Sequence, residues 1–481
     1  MLRILSPPLV AAVLFWPASG SAQSSGSEPP ASAAFEVDMA DDVGEPNDVP
    51  RVQGQFSFGS YGRVVGASNL RGGAGRASNV VSHGPRLEEG PYLELDLRYD
   101  LQHIDGARFS VVTTTAITEA MFHLDGDFDG AIALRNAYVQ ASNFGVDDLS
   151  AWAGSRMLRG DDIYLFDLWP LDNLNTVGGG LRYEVTPTTY VSAHGGVNQL
   201  DDPFQRQEVI VAGPQFETES RIQLDRLRAL GSLRFEQQFR ELAGTDLGLK
   251  VVLYGDVQRL GAGVYQNEDD VEIELPSDLG VTVGAQVGLW GFARNGFANL
   301  FLRHSTGLAA YGELSVPFGT DDDLRVTSAR LTRLALSANA ESRWVGATLG
   351  AYVQWFRDAD DVTFDNDDFV EGVFSVRPVL FLSDHVHQAF ELSYQRRTPS
   401  GLSARTDTYL EPAMWKFAVM PTISMDRAIY ARPQIRLIYS ASILNEGAQD
   451  AYPESDPRHA QRAQHFLGIG AEWWFNSSTY Q

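Results

Sequence analysis

In Tyr92-Leu93-Glu94-Leu95-Asp96-Leu97-Arg98-Tyr99, leucines and charges alternate residue by residue. Successive side chains of a strand point to opposite faces, so this spacing gives one oily face and one charged face. A helix would scatter the same charges around its whole circumference. The period recurs at Gln55 to Val64, where Phe56, Phe58 and Val64 oppose Gln55, Ser57, Tyr61 and Arg63. It recurs again where Phe390, Leu392 and Tyr394 oppose Glu391, Ser393 and Gln395, and where Ile435, Leu437 and Tyr439 oppose Arg432, Gln434 and Arg436. Near the carboxyl end Leu467, Ile469, Ala471, Trp473 and Phe475 alternate with Gly468, Gly470, Glu472 and Trp474.

These runs approach the ~9 to 11 residues that a tilted strand needs to cross a bilayer, whereas strands of soluble sandwiches run ~5 to 6. They recur about every 20 to 25 residues, with turn or loop residues between them. Dividing the roughly 420 residues from Gln55 to Phe475 by ~24 per strand and loop predicts about 18 strands, an even number as bacterial barrels require. Closure leaves no edge and pairs every backbone group in lipid. The expected fold class is therefore all-β: a transmembrane antiparallel β-barrel of about 18 strands. Tyr99, Tyr138, Tyr352 and Tyr394, near strand ends, are expected in interfacial girdles.

The start of the chain supplies the address. Arg3, an apolar stretch from Leu9 to Trp16 and the small residues Ala18-Ser19-Gly20-Ser21-Ala22 read as a cleaved secretory signal over residues 1–22. Residues 23–53, rich in Ser, Pro, Asp and Glu, read as a flexible acidic periplasmic leader that cannot bury enough apolar surface to order itself. Residues 54–475 are then the barrel, and 476–481 a carboxyl-terminal extension. Signal and barrel together predict a bacterial outer membrane as the location, with its lipid as a partner. No run of ~18 consecutive apolar residues follows the signal, which excludes a helical membrane protein. The absence of cysteine excludes disulfides, thiol catalysis and cysteine metal sites. A formal net charge of −25 argues against nucleic acid as a partner, since phosphate binding needs clustered Lys and Arg.

Little in the chain suggests catalysis or a cofactor. The nine His residues show no metal-ligand spacing; His385 and His387 lie two apart with no third ligand on their face, and are read as solvated loop residues. The acidic run Asp358, Asp360, Asp361, Asp365, Asp367 and Asp368 lacks the glycine and glutamate framework of an EF-hand and reads as a hydrated outer loop. Gly178-Gly179-Gly180 is followed by Leu181-Arg182-Tyr183 and not by Lys-Ser/Thr, so it leads a loop into a strand and does not cradle phosphate.

The polar faces of the strands are more informative. Tyr61 with Arg63, Tyr92 with Glu94, Phe297 with Asn299 and Arg303, and Trp474 with Glu472 each place a ring beside a polar group on one face. A sugar ring presents a C–H face to aromatic planes and an equator of hydroxyls to charged and amide groups. A pore tiled this way passes a sugar between weak sites without trapping it. The stretch from Arg156 to Asp172 follows a strand expected over Leu149 to Gly154. It carries Arg159, Asp161, Asp162, Tyr164, Asp167 and Trp169 and is too long for a tight turn; it is expected to fold into the barrel and narrow it.

At these residues the chain resembles the maltoporins and related sugar-specific porins of Gram-negative bacteria. The likeness is carried by Trp152-Ala153-Gly154 with Arg156, Asp162, Asp167 and Asp172; by Phe58 to Arg63, Tyr92 to Leu95 and Arg135 to Gln140; and by Gly296-Phe297, Arg377-Pro378, Ala431 to Arg436 and Glu472-Trp473-Trp474. The resemblance implies a homotrimer of 18-stranded barrels passing maltose or maltodextrin-like sugars. It matches Tyr61, Tyr92, Phe297 and Trp474 to an aromatic slide. Arg63, Glu94, Arg135, Asp167 and Asp172 match a polar track, with Arg86 a weaker match. The chain departs from the family where Trp169 replaces a constriction tyrosine, Gly160 beside Arg159 replaces a track arginine and Leu382 replaces a slide tryptophan. Rival readings are a less selective general porin, a surface receptor or adhesin with a plugged lumen, and a hydrolase using loop residues such as Ser383 and His385.

Overall fold

The computed structural model describes residues 52–476, apart from 121, 123–128, 203, 214–216, 361–366 and 404. The expected signal, almost all of the leader, residues 477–481, Asp361 and Asp365 lie outside the described residues. The chain forms β1 (Val52–Ser68), β2 (Tyr92–His103), β3 (Arg108–Ala120), β4 (Asp129–Ser142), β5 (Leu149–Arg159), β6 (Asn173–Thr186) and β7 (Thr189–Asn198). Next come the loop hairpin β8 (Arg206–Ala212) with β9 (Thr218–Asp225), then β10 (Arg228–Phe239) and β11 (Gly248–Leu260), and a second loop hairpin β12 (Gly263–Gln266) with β13 (Glu272–Leu275). The series continues with β14 (Asp278–Trp290), β15 (Arg294–Gly307), β16 (Arg330–Glu341), β17 (Val345–Arg357) and β18 (Phe369–Phe381). It ends with β19 (Val386–Pro399), β20 (Ala413–Ser424), β21 (Gln434–Leu444) and β22 (Ala463–Phe475).

Leaving out the two loop hairpins, eighteen strands make one sheet, each antiparallel to its neighbours. The sheet closes on itself: β1 pairs β2 along one edge and β22 along the other, from Ser60↔Phe475 to Ser68↔Leu467. The expected 18-stranded antiparallel barrel is therefore observed.

Its sidedness is the reverse of a soluble protein's. Along β14, Leu279, Val281, Val283, Val287 and Leu289 are exposed, whereas Thr282 and Gln286 between them are buried. In β20, Trp415, Phe417, Val419 and Ile423 face outward while Lys416, Thr422 and Ser424 are buried. Apolar residues on the outside are stable only against hydrocarbon, and polar residues inside are stable only where hydrogen-bond partners or water reach them. No helix among the described residues is long and apolar enough to cross a membrane.

The connections sort by length. Residues 187–188, 291–293, 342–344 and 382–385 are tight turns at the end of the barrel where β22 stops. Residues 69–91, 160–172, 199–227, 261–277, 308–329 and 445–462 form long loops at the opposite end. Short periplasmic turns and long outer loops are the rule for such barrels.

Several local expectations need correction. The barrel strands run from 10 residues in β7 to 17 in β1; β5, β7 and β21 match one bilayer crossing, and the others are longer because backbone pairing continues beyond the hydrocarbon. The strand expected over Leu149 to Gly154 continues to Arg159. Gly178-Gly179-Gly180 lies inside β6 and pairs with β7. A Cβ at Gly180 would sit 2.5 Å from Trp152 Nε1, so the bare backbone makes room for Trp152, which stacks on His194 at 5.0 Å. Tyr138 and Tyr352 are not in girdles but buried on the inner face, against Trp152 and Phe166. His387 is not a solvated loop residue; it is buried in β19 against Phe381. Asp358, expected in a hydrated loop, is also buried.

Segments that leave the wall pack inside it, among them loop 308–329, whose Leu308, Ala310, Val326 and Ala329 cluster with Leu260, Leu331, Phe356 and Phe369. Loop 160–172 supplies Ile163, Leu165, Phe166, Leu168 and Leu171 to an apolar cluster with Val252, Phe301, Tyr352 and Val373 of the wall. Loop 69–91 and the turn 425–433 supply Leu87 and Ile429 to a further cluster with Val379, Phe381, Ile438 and Phe466.

Candidate functional site

Strand register brings the first group together. Tyr61 lies opposite Trp474 of β22 on one side and Glu94 of β2 on the other, while Arg63 lies opposite Glu472 and Tyr92. Because side chains two apart share a face, all six point inward. The ring of Tyr61 is 5.8 Å from Tyr92 and 6.5 Å from Trp474, and Tyr164 reaches Trp474 at 6.2 Å from the inserted loop. Polar groups flank the rings. Arg63 Nη1 donates to Tyr61 Oη at 3.0 Å and meets Glu89 at 3.0 Å. Tyr92 donates to Glu94 at 2.5 Å, and Arg135 donates to both. Arg432 lies 4.0 Å over the Trp474 ring and donates to Glu472 at 2.8 Å, where Arg436 also donates. Each ring is thus locked by a charged neighbour, an arrangement suited to a flat ligand with hydroxyls at its rim.

Loop 160–172 spans the interior and is fastened at both ends and in the middle. Asp161 accepts from Lys250 of β11 and Gln286 of β14. Tyr164 accepts from Arg432 at 2.6 Å and donates to Glu472 at 3.4 Å. The Leu165 carbonyl accepts from the Arg86 backbone N–H at 3.1 Å, and the Leu171 carbonyl from Arg303 of β15 at 3.3 Å. Asp172 receives Arg234 of β10 at 2.7 Å. The tip folds back through a short bridge between Ile163 and Leu168, with Asp167 in the left-handed region at φ 55°, a conformation that Asp tolerates better than most residues.

Loop 69–91 runs beside it. Its Ser82 and His83 backbone N–H groups donate to Glu371 at 3.1 Å and Tyr352 Oη at 3.1 Å, and Glu88 pairs with Lys416 at 2.7 Å. Arg86 joins the two loops and the wall: it meets Asp167 at 3.3 Å and Glu89 at 2.9 Å, and donates to Tyr61 at 2.9 Å. Between these elements lies a cavity bounded by Arg63, Arg86, Arg377 and Arg436, with Glu89, Glu472 and Tyr164.

The charges on the inserted loop respond to this setting. Burial pushes the Asp162 carboxyl up to about 8; Asp167 adds to the rise and Arg86 opposes it. Burial likewise brings Asp167 up to about 7 against the pull of Arg86. Burial pushes the Tyr164 phenol up too, yet Arg432, Arg436 and Arg377 outweigh it and hold the group below the ordinary tyrosine value. The field around Tyr164 is therefore positive.

The sequence-derived residues do not all meet. Tyr61, Tyr92, Trp474, Arg63, Glu94 and Arg135 form one connected patch, and Asp167 reaches it through Arg86. Phe297 sits apart, near the turn end of β15, opposite Trp290 and Asn339. Trp169 is buried with the Arg159 guanidinium 4.0 Å over its ring and does not border the cavity, where Tyr164 does. At Gly160 a Cβ would lie 2.5 Å from Arg234 Nη1, so a guanidinium from β10 fills the space that a side chain there would take. Leu382 is exposed in the turn between β18 and β19. Sequence reading gave Arg86 only as a weaker polar-track match and Arg377 only as part of the family likeness, without their contacts, and it missed Arg234 and the whole inward course of loop 69–91. Arg432 and Arg436 were signalled by their alternation with oily neighbours, but not their convergence on Glu472.

No cluster of three or more metal-ligating side chains occurs among the described residues. Similarity to solved structures is confined to fold. OccAB1 of Acinetobacter baumannii matches with 11% identity over 88% of this chain and 96% of its own, with a TM-score of 0.44. The outer membrane channel DcaP of Acinetobacter baumannii matches with 10% identity, 88% and 97% coverage and a TM-score of 0.44. OccD3 of Pseudomonas aeruginosa matches with 10% identity, 87% and 91% coverage and a TM-score of 0.42. A search of curated proteins finds no match. The comparison with protein families is decisive: the LamB porin family matches residues 56–475, the entire barrel but for its first few residues. The chain belongs to the LamB porin family, and is accordingly a non-enzymatic, sugar-selective channel of the outer membrane.

Proposed function

We propose that this channel carries sugars along Tyr61, Tyr92 and Trp474 as an aromatic slide, with Arg63, Glu94, Arg135, Asp167 and Glu472 as the flanking polar track. The observation that carries the reading is the contiguous stack of inward rings, each with a charged group within hydrogen-bond or cation–π reach. Rings hold the apolar face of a saccharide while the charged groups trade hydrogen bonds with its hydroxyls, so many weak contacts replace one deep site. In this reading loop 160–172 is the constriction, and Tyr164 stands at its opening beside Trp474. Export by a cleaved signal over residues 1–22 and assembly as a homotrimer belong to the same proposal.

Liposome swelling tests it. Proteoliposomes are compared in mono-, di- and trisaccharides and in polyols of matching size. Saccharides are expected to enter faster than polyols, and Trp474→Ala to slow trisaccharides while monosaccharides keep their rate. Equal rates for saccharides and polyols would leave the slide without a role.

A further inference from the structure

One cavity inside the barrel gathers more positive charge at its lining than a neutral sugar requires. The cavity between the two inserted loops is bounded by four arginines, Arg63, Arg86, Arg377 and Arg436, and by two glutamates, Glu89 and Glu472. Glu472 is shared by Arg432 and Arg436, and Glu89 by Arg63 and Arg86. The next neighbours add Glu391 behind Arg377 and Asp167 beside Arg86. Burial raises the Asp167 carboxyl above the ordinary carboxylate value, which weakens it as a counter-charge to Arg86. On the other side of loop 160–172, Arg303 and Arg333 lie directly opposite each other in β15 and β16. Like charges in register repel, and Arg303 reaches the loop at the Leu171 carbonyl. Glu371, whose charge acts on Arg333, is already engaged by Tyr352, Gln354, Ser82 and Arg397.

Buried guanidiniums in excess of their carboxylates are unfavourable unless a counter-charge completes the site. Arg63 keeps a donor in reserve: its Nε and Nη1 groups reach Gly90, Tyr61 and Glu89, and its Nη2 meets no acceptor among the described residues. The chain as a whole has a formal charge of −25, and acidic runs such as Glu268, Asp269 and Asp270 sit in outer loops. Salt screens those exposed groups beyond ~8 Å, while the enclosed arginines are screened far less. An anion therefore meets weak repulsion outside and attraction at the arginine-lined cavity.

We propose that the saccharide this channel selects carries an anionic group, a carboxylate or a phosphate, which docks among Arg63, Arg86, Arg377 and Arg436. The proposal rests on the sugar-channel reading above and narrows its substrate. Bidentate donation by guanidinium to a carboxylate or phosphate, with the sugar ring against Tyr61 and Trp474, uses both halves of the site.

The test uses the full-length protein in planar bilayers. Block of ion current is titrated with a neutral trisaccharide, a uronic-acid trisaccharide of the same length, a hexose phosphate and inorganic phosphate. At least one charged sugar is expected to block at about tenfold lower concentration than the neutral trisaccharide, and more strongly than inorganic phosphate. The stronger of the two charged sugars identifies the group as carboxylate or phosphate. In an Arg377→Gln, Arg436→Gln double variant the charged and neutral sugars are expected to come within about twofold of each other. Block by the neutral trisaccharide equal to that by both charged sugars overturns the proposal and leaves the sugar channel standing. Block by inorganic phosphate as strong as by either charged sugar overturns it in favour of a free-anion site. Absence of block by every saccharide overturns the sugar-channel reading itself. If the double variant fails to insert, the wild-type panel decides alone.

Discussion

Three side chains of loop 160–172 set the electrostatics of the interior. Tyr164 sits among Arg86, Arg377 and Arg432, with their guanidinium carbons 5.3, 5.8 and 5.9 Å from its ring. Asp162 and Asp167 carry carboxyls raised by burial to about 8 and about 7. Both folded values exceed those of an unfolded chain. Their contribution to the inserted conformation is therefore fully present below the unfolded pKa near 4, and is lost as pH rises through about 7 and 8. The same ionisation adds negative charge beside Arg86. Anion preference, read as the reversal potential in a KCl gradient, is expected to fall between about pH 6 and about pH 9. The double change Asp162→Asn, Asp167→Asn should flatten that dependence; an unaltered pH profile would assign the titration to other groups.

At the scale of elements, local pattern and distant contact part company. The faces of β1, β2, β19, β21 and β22 were legible because alternation is a property of adjacent residues: Phe58 and Leu97 are exposed as expected, and Glu94 and Asp96 buried. Two other strand-borne rings, Tyr138 and Tyr352, were misassigned to girdles because position near a strand end does not say which face a ring occupies. The length and charge of loop 160–172 hinted that it turns inward. Its fastenings were hidden, since Lys250, Gln286, Arg303 and Arg432 lie some 90 to 270 residues away in the chain and only closure of the ring brings them near. Nothing in the Gly, Ser and Asn of loop 69–91 signals an inward course; what draws it inside is pairing such as Glu88 with Lys416. Trp169→Ala removes the ring beneath Arg159 and costs ~3–5 kcal/mol of local packing. Ion conductance is expected to rise and sugar block to weaken; unchanged values for both would show that the loop does not set the pore's width.

For the whole molecule the deciding property is the inverted distribution of polarity. Strand count and closure followed from chain length and period, and bonding of β1 to β22 completes them. The outward face should then behave as a lipid-facing surface. Val283→Arg, on the exposed side of β14, is expected to destabilise the inserted barrel by ~2–4 kcal/mol if it sits at the bilayer midplane. Refolding titrations in lipid vesicles read this directly, and a neutral effect would place that face away from hydrocarbon. Specificity is less legible than architecture, because it depends on which charges converge: Arg377 and Arg436 are ordinary strand arginines until the ring brings them around one cavity with Arg63 and Arg86.

The central claim, that the aromatic and charged interior engages saccharides in passage, is met most directly by single-channel recording in planar bilayers with neutral and acidic oligosaccharides added in turn. The account predicts reversible, concentration-dependent interruption of the ion current by at least one of them. An open-channel current that no oligosaccharide of either kind disturbs would contradict it.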